Sequence, residues 1–221
     1  MAANERLTAL AGALLLVLLT VELLSAANMR VLLSVHVLVG VVLAGPLAVK
    51  IASTGYRLLR YYAGSSAYVR KGPPRPALRV LAVPLVIMTL VVVGSGIGLL
   101  VTGPTQTAVF VHGISVLIWL PMIAIHTIAH IHRVPRLIAE DWTERPIGQI
   151  AGRGARLGVS LGSLMLGGVA ALLLQPVPAS LVAWSKTNGN GPPGPLIAGM
   201  LVATLALLAT RPLRWREAPN G

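Results

Sequence analysis

Cysteine is absent from the 221 residues, which removes disulfides, thiolate metal sites and cysteine-ligated iron–sulfur clusters from consideration. Any redox centre has to be held by histidine, lysine, methionine or carboxylate. Acidic residues are scarce, 6 against 18 Lys and Arg, and charged residues together reach only 11%, less than half the roughly 25% of a soluble domain. Aromatic residues make up 4%, with a single Phe. The net charge of +12 therefore comes without the aromatic-interleaved basic patches of a nucleic-acid binder, and no nucleic-acid partner is expected.

What is abundant is apolar sequence, at 55% of residues. It falls into six runs: Leu7–Ser25, Met29–Ala52, Arg79–Val101, Ala108–Ile131, Leu157–Leu174 and Leu196–Thr210. Runs of roughly 17–25 apolar residues match the hydrocarbon thickness of a bilayer, and the two-residue alternation of a membrane β-barrel is missing. The expected fold class is an all-α polytopic membrane protein of about six transmembrane helices, with the lipid bilayer as its solvent. No polar stretch between the spans is long enough to build a soluble core. Arg6 ahead of an apolar run ending in Ser25-Ala26-Ala27 resembles a signal peptide; it is read as a retained span, and the orientation of the other spans is the same either way.

The cations are distributed asymmetrically. Of the 18, only Arg30, Lys50 and Lys186 fall outside the N-terminus, the segments between spans two and three and between spans four and five, and the C-terminal tail. The positive-inside rule then predicts both termini in the cytoplasm, an even number of spans and residence in the cell membrane. The segment Gly64–Pro76 reads as a structured cytoplasmic surface, and Gln175–Pro195, with Asn188-Gly189-Asn190-Gly191-Pro192-Pro193, as a partly flexible outer loop.

The five histidines, His36, His112, His126, His130 and His132, lie in span two and in or just after span four. Ionisable groups inside a membrane are costly and mark function. His112 and His126 are 14 residues apart, which returns to nearly the same helix face about 21 Å further along the axis. His36 sits at a depth in span two similar to that of His112 in span four. Two neutral imidazoles facing each other across a helical bundle can take both axial positions of one haem iron. Fourteen residues after His36 stands Lys50, level with His126. Three roles are open for Lys50: an amine ligand to a second iron, a partner for a haem propionate, or a side chain snorkelling to the interface. His130, one turn after His126, can ligate, hydrogen-bond or serve a quinone site, while His132 reads as interfacial. Gly40, one turn below His36, and Gly94, Gly96, Gly98 and Gly113 offer room for a porphyrin edge or for close helix packing. Arg30, at the outer end of span two, is a candidate propionate partner. The run Tyr56, Arg57, Arg60, Tyr61 and Tyr62 reads equally as an interfacial belt or as a propionate or docking surface.

This pattern resembles the membrane cytochrome b subunits of formate dehydrogenases and nickel–iron hydrogenases and the related small four-helix bacterial cytochromes b. His112 and His126 match that family's two histidines on the fourth helix, and His36 matches the partner on the second. The family's remaining ligand, near the inner end of its first helix, has no counterpart in Leu7–Ser25. The resemblance implies a four-helix haem-binding bundle over residues 1–135, with 136–221 adding two transmembrane helices and a cytoplasmic tail. It implies haem b, one group and a possible second, with quinone as a further candidate. The expected role is electron transfer through haem as a subunit of an oxidoreductase, with a peripheral redox protein or subunit as partner.

Two other classes compete. A proton-coupled transporter or channel uses intramembrane histidines as relays, but spans two and four carry no acid, and Glu22 is the only carboxylate within any span. A metal-dependent enzyme built on His126, His130 and His132 needs a nearby carboxylate, and span four has none.

Overall fold

The structure, a computed structural model, describes residues 2–72, 76–131, 133–142 and 152–189. Among the described residues every element is helical: α1 (Ala2–Ala26), α2 (Met29–Tyr62), α3 (Ser66–Lys71), α4 (Pro76–Thr102), α5 (Gln106–His130), α6 (Arg133–Trp142), α7 (Arg153–Leu173) and α8 (Ala179–Asn188). Five of them, α1, α2, α4, α5 and α7, are long and apolar enough to cross a membrane. They coincide with the first five apolar runs; the sixth, Leu196–Thr210, lies outside the described residues. The large apolar side chains of α4, α5 and α7, such as Val83, Ile87, Leu90, Phe110, Ile118, Leu166 and Leu173, are exposed. Hydrocarbon, not water, is the solvent that stabilises such surfaces.

Two helical hairpins form the body. α1 folds back along α2 through the Ala27-Asn28 turn, and α4 folds back along α5 through Gly103, whose φ of +76° only glycine adopts freely. Thr105 caps α5 by accepting from the Ala108 amide at 3.2 Å. Trp119 Nε1 donates to Thr89 Oγ1 at 2.8 Å and ties α5 to α4. In hydrocarbon such a bond replaces one that water cannot make.

α2 runs to Tyr62, ten residues beyond the expected end of the second span at Ala52. At about 1.5 Å per residue it is roughly 51 Å long, against about 30 Å of hydrocarbon. The apolar pattern stops at the interface; the backbone hydrogen bonds do not. The overhang carries Arg57, Arg60 and the tyrosines beyond the apolar part of the helix.

α7 packs against α2 on small residues. Ser160, Ser163, Gly167 and Ala171 are buried along one stripe of α7. A Cβ at Gly167 would lie 2.5 Å from the Val42 carbonyl oxygen, and a Cβ at Gly45 would run into the Ser163 carbonyl oxygen. Pro46 lies inside α2, fully buried. It has no N–H to give the carbonyl one turn before it, which belongs to Val42. That freed oxygen is the one against which Gly167 sits.

Shorter helices close the two ends. At the end away from the cations, α8 lies against α2: Leu33, Val177 and Leu181 form a buried cluster with Met29, Val37, Leu99, Leu100 and Val182 around it. The expected loop Gln175–Pro195 thus contains a helix, because Leu181 has an apolar cluster to enter. At the basic end, α3 buries Tyr68 and holds Glu5 of α1 through Lys71. α6 runs back beneath the bundle to α1.

Candidate functional site

The two hairpins do not close on each other. Between them lies a cavity of about 2060 Å³, lined by α1, α2, α4, α5 and α6 and closed at its ends by α3 and α8, into which Glu22, His36, Gly40, Lys50, His112, His126 and His130 face. α7 contributes nothing to its wall. The cavity is larger than the roughly 300–1,000 Å³ that one small ligand needs.

At the end away from the cations, His36 of α2 and His112 of α5 meet across the gap. Their ring centroids are 6.5 Å apart and their planes stand at 80°. Each ring is held by its Nδ1. His36 Nδ1 lies 3.1 Å from the Glu22 carboxylate, and 3.4 Å from both Ser25 Oγ and the Glu22 carbonyl. Ser25 gives its own proton to that carbonyl at 2.9 Å, so with the Glu22 carboxylate ionised a proton on Nδ1 satisfies every neighbour of this nitrogen. His112 Nδ1 lies 3.0 Å from Ser95 Oγ, which donates to the Val92 carbonyl at the same distance. With Nδ1 protonated on both rings, each keeps a lone pair on Nε2, and neither Nε2 has a hydrogen-bond partner among the described residues.

Glycine makes this arrangement fit. A Cβ at Gly40 would stand 3.0 Å from the Glu22 carboxylate, and one at Gly96 would stand 3.3 Å from the His112 ring. Gly40 thus admits the carboxylate that holds His36, a role the spacing alone does not disclose. Gly113, Gly94 and Gly98 face open space. Glu22 Oε2 is buried without a partner.

Glu22 was invisible to the reading of spans two and four. The expectation that the histidines lack an acidic neighbour is corrected by α1, which supplies one across the helix–helix contact. Two signals pointed to it: Glu22 is the lone carboxylate within a span, and folding α1 back on α2 about Ala27-Asn28 brings it near the level of His36.

Toward the basic end, Lys50 Nζ donates to the Thr8 carbonyl of α1 at 2.9 Å, under Gly12, where a Cβ would be 2.9 Å from the amine. Thr8 Oγ1 and Ser53 Oγ are 2.9 Å apart, and Asn4 donates to the Ser53 carbonyl at 2.9 Å. These bonds form a polar seam between α1 and α2. His126 and His130 of α5 stack with centroids 4.6 Å apart and planes at 26°, and His130 Nδ1 donates to the His126 carbonyl at 2.9 Å. Stacked rings on one helix cannot face each other across a metal. Lys50 lies within electrostatic reach of both rings. Arg30 is exposed at the start of α2 and does not line the cavity. His132 lies outside the described residues.

Among the described residues no three His, Asp or Glu side chains gather as a metal site. A macrocycle that brings its own four equatorial nitrogens needs only two axial ligands, and His36 and His112 are the two side chains that would supply them. Their 6.5 Å centroid separation is close to the roughly 6 Å that two imidazoles sharing one metal would have. With both Nδ1 atoms beside acceptors and cavity around the pair, these residues would fit such a group.

Compared with known proteins, the chain matches no family model, no curated protein and no solved structure.

Proposed function

We propose that this chain is a membrane b-type cytochrome that holds one haem between His36 and His112 and passes electrons within the bilayer. The observation that carries this reading is the facing imidazole pair, 6.5 Å between centroids, with both Nδ1 atoms held and both Nε2 atoms free. A haem bound there supplies reversible one-electron chemistry at iron. The chain's own residues do the rest. Glu22 and Ser95 fix the orientation and tautomer of the two rings. Leu33, Val37 and Val93 line the cavity with apolar surface, Leu33 from within its cluster with Val177 and Leu181. The donor and acceptor belong to the same proposal: a quinol in the bilayer or a peripheral redox protein, with the basic end in the cytoplasm of a cell-membrane protein, as the cation distribution favours. The incomplete second set, His126 with Lys50, enters this reading as polar lining and not as a second haem site.

Two measurements test it. The purified protein, expressed with haem supplied, is expected to show a sharp b-type α band on dithionite reduction, with one haem per chain by pyridine haemochrome. The ring planes add a second readout. With a haem held between them, rings at 80° would place their π donation in different planes and would leave two iron d orbitals nearly equal in energy. The ferric protein is therefore expected to give a strongly anisotropic low-spin EPR signal; the rhombic signal of parallel rings would contradict the geometry.

The Glu22 contact gives a further expected outcome. Glu22→Leu removes the acceptor nearest His36 Nδ1. Losing such a partner typically costs about 10–100-fold in metal affinity, so haem titration should show weaker retention in that range, with Glu22→Gln closer to the native protein. Equal retention in all three would remove Glu22 from the site.

A second reading has one observation in its favour. A buried carboxylate against a histidine inside a membrane is also what a proton relay uses. A protein that stays colourless with haem supplied would bring that transporter reading forward.

A further inference from the structure

The basic end of the cavity lies some four helical turns from the His36–His112 pair and has different chemistry. Arg57 of α2 is half-buried, lines the cavity and makes no hydrogen bond or ion pair among the described residues. It acts, with Arg133 at the start of α6, on the His130 ring, whose Nδ1 is already committed. Lys71 and Arg79 line the same end. Lys71 is joined to Glu5, and Arg79 donates to the Tyr62 hydroxyl at 2.7 Å. Among the described residues Glu5 is the one carboxylate that meets a cation here, and Arg57 meets none. A half-buried guanidinium without an anion is costly, and anions of carboxylate or phosphate type are its natural partners.

Directly above these cations the wall becomes hydrocarbon. Leu47, Leu58, Val83 and Ile123 face the same cavity, whose volume exceeds what one planar cofactor fills. Water standing against such walls is unfavourable. A ligand that meets both halves carries a negative head and a long apolar body. In a bilayer such a molecule is always at hand.

We propose that the basic end of the cavity binds an anionic phospholipid, its phosphate held by Arg57 with His130 and Arg133, and its acyl chains lying between the two hairpins. The site is distinct from the His36–His112 pair and does not depend on haem being bound there.

The test uses the full chain in nanodiscs of phosphatidylcholine with a minor fraction of phosphatidylglycerol, followed by native mass spectrometry of the lipid retained on release. The protein is expected to keep one phosphatidylglycerol in preference to phosphatidylcholine. Arg57→Gln should lower that preference about fivefold, as loss of one lipid-facing cation does, and Arg57→Lys should retain most of it. If Arg57→Gln does not give monodisperse protein, Arg133→Gln carries the same expectation, since the exposed Arg133 has no packing to lose. Absence of any preference, or a preference untouched by these variants, overturns the proposal. Displacement of the lipid by millimolar inorganic phosphate would make the site one for a free anion and overturn the lipid assignment. A second haem per chain that disappears in Arg57→Gln would give the cations to haem propionates and overturn it as well. A colourless protein that still retains the lipid would leave this proposal standing while the haem reading falls.

Discussion

His36→Ala is expected to yield a protein with no haem at the outer end of the cavity, its reduced-minus-oxidised spectrum lacking the b-type α band of the native chain. His112→Ala should do the same. No described residue can restore that spectrum in place of either ring. Each ring occupies one side of the gap between hairpins, Ser95 donates to Val92 and Ser25 to Glu22, and the Glu22 carboxyl, whose Oε2 has no partner, is a hard oxygen donor that would not give a low-spin b-type band. His126, about 21 Å along α5 from His112, cannot reach. Truncation to alanine leaves room, so the variants should remain helical and monodisperse, and an unfolded preparation would not be mistaken for a cofactor-free one. His126→Ala, by contrast, should retain the full band. If the native chain instead held two haems and His126→Ala lost one, the Lys50–His126 level would be a second haem site, and Lys50 would have to exchange Thr8 for iron. A band that survives His36→Ala undiminished would remove the outer site from the proposal.

Much of this arrangement was legible in the sequence, and the parts that were not share a cause. The five described spans follow from apolar run length, because a bilayer imposes its thickness on every helix that crosses it. The equal depth of His36 and His112 follows from spacing along two helices that run the same way. What spacing along one helix cannot show is what the neighbouring helix brings. Glu22, Thr8 and Gly12 all reach their partners across the α1–α2 contact, and of the three only Glu22, as the lone carboxylate within a span, stands out in the sequence. Gly40 illustrates the same limit: it lies one turn from His36, as noted from sequence, yet its missing side chain serves a carboxylate on another helix. The helices α6 and α8 escaped notice because hydropathy marks what enters the hydrocarbon, and both lie at its edges. α8 is ordered by the Leu33–Val177–Leu181 cluster, a contact between segments more than a hundred residues apart in the chain.

The helix that carries His36 is itself held in place from behind, and here the second large effect is expected. Gly167→Ala adds one methyl group where the Val42 carbonyl oxygen stands 2.5 Å away, and Gly45→Ala adds one against the Ser163 carbonyl oxygen. Backbone oxygens cannot swing aside as a flexible side chain can, so α7 must move off α2. Overpacking of this kind costs about 1–3 kcal/mol and occasionally more, which for a chain of this size corresponds to roughly 2–12 °C in melting temperature. The neighbouring Gly168 provides the control. Its Cβ position meets nothing within 4 Å, and Gly→Ala within a helix is otherwise favourable by about 0.5–1 kcal/mol. Gly168→Ala should therefore be neutral or slightly stabilising. The same chemical change one residue apart should thus act with opposite sign, read by thermal unfolding of the detergent-purified protein. Because α7 does not line the cavity, Gly167→Ala should leave the position of the haem α band unchanged in whatever protein remains folded. A shifted band at unaltered stability would mean that α7 acts on the histidine pair directly. Equal melting temperatures for the two glycine variants would mean that α7 does not pack on α2 through this seam.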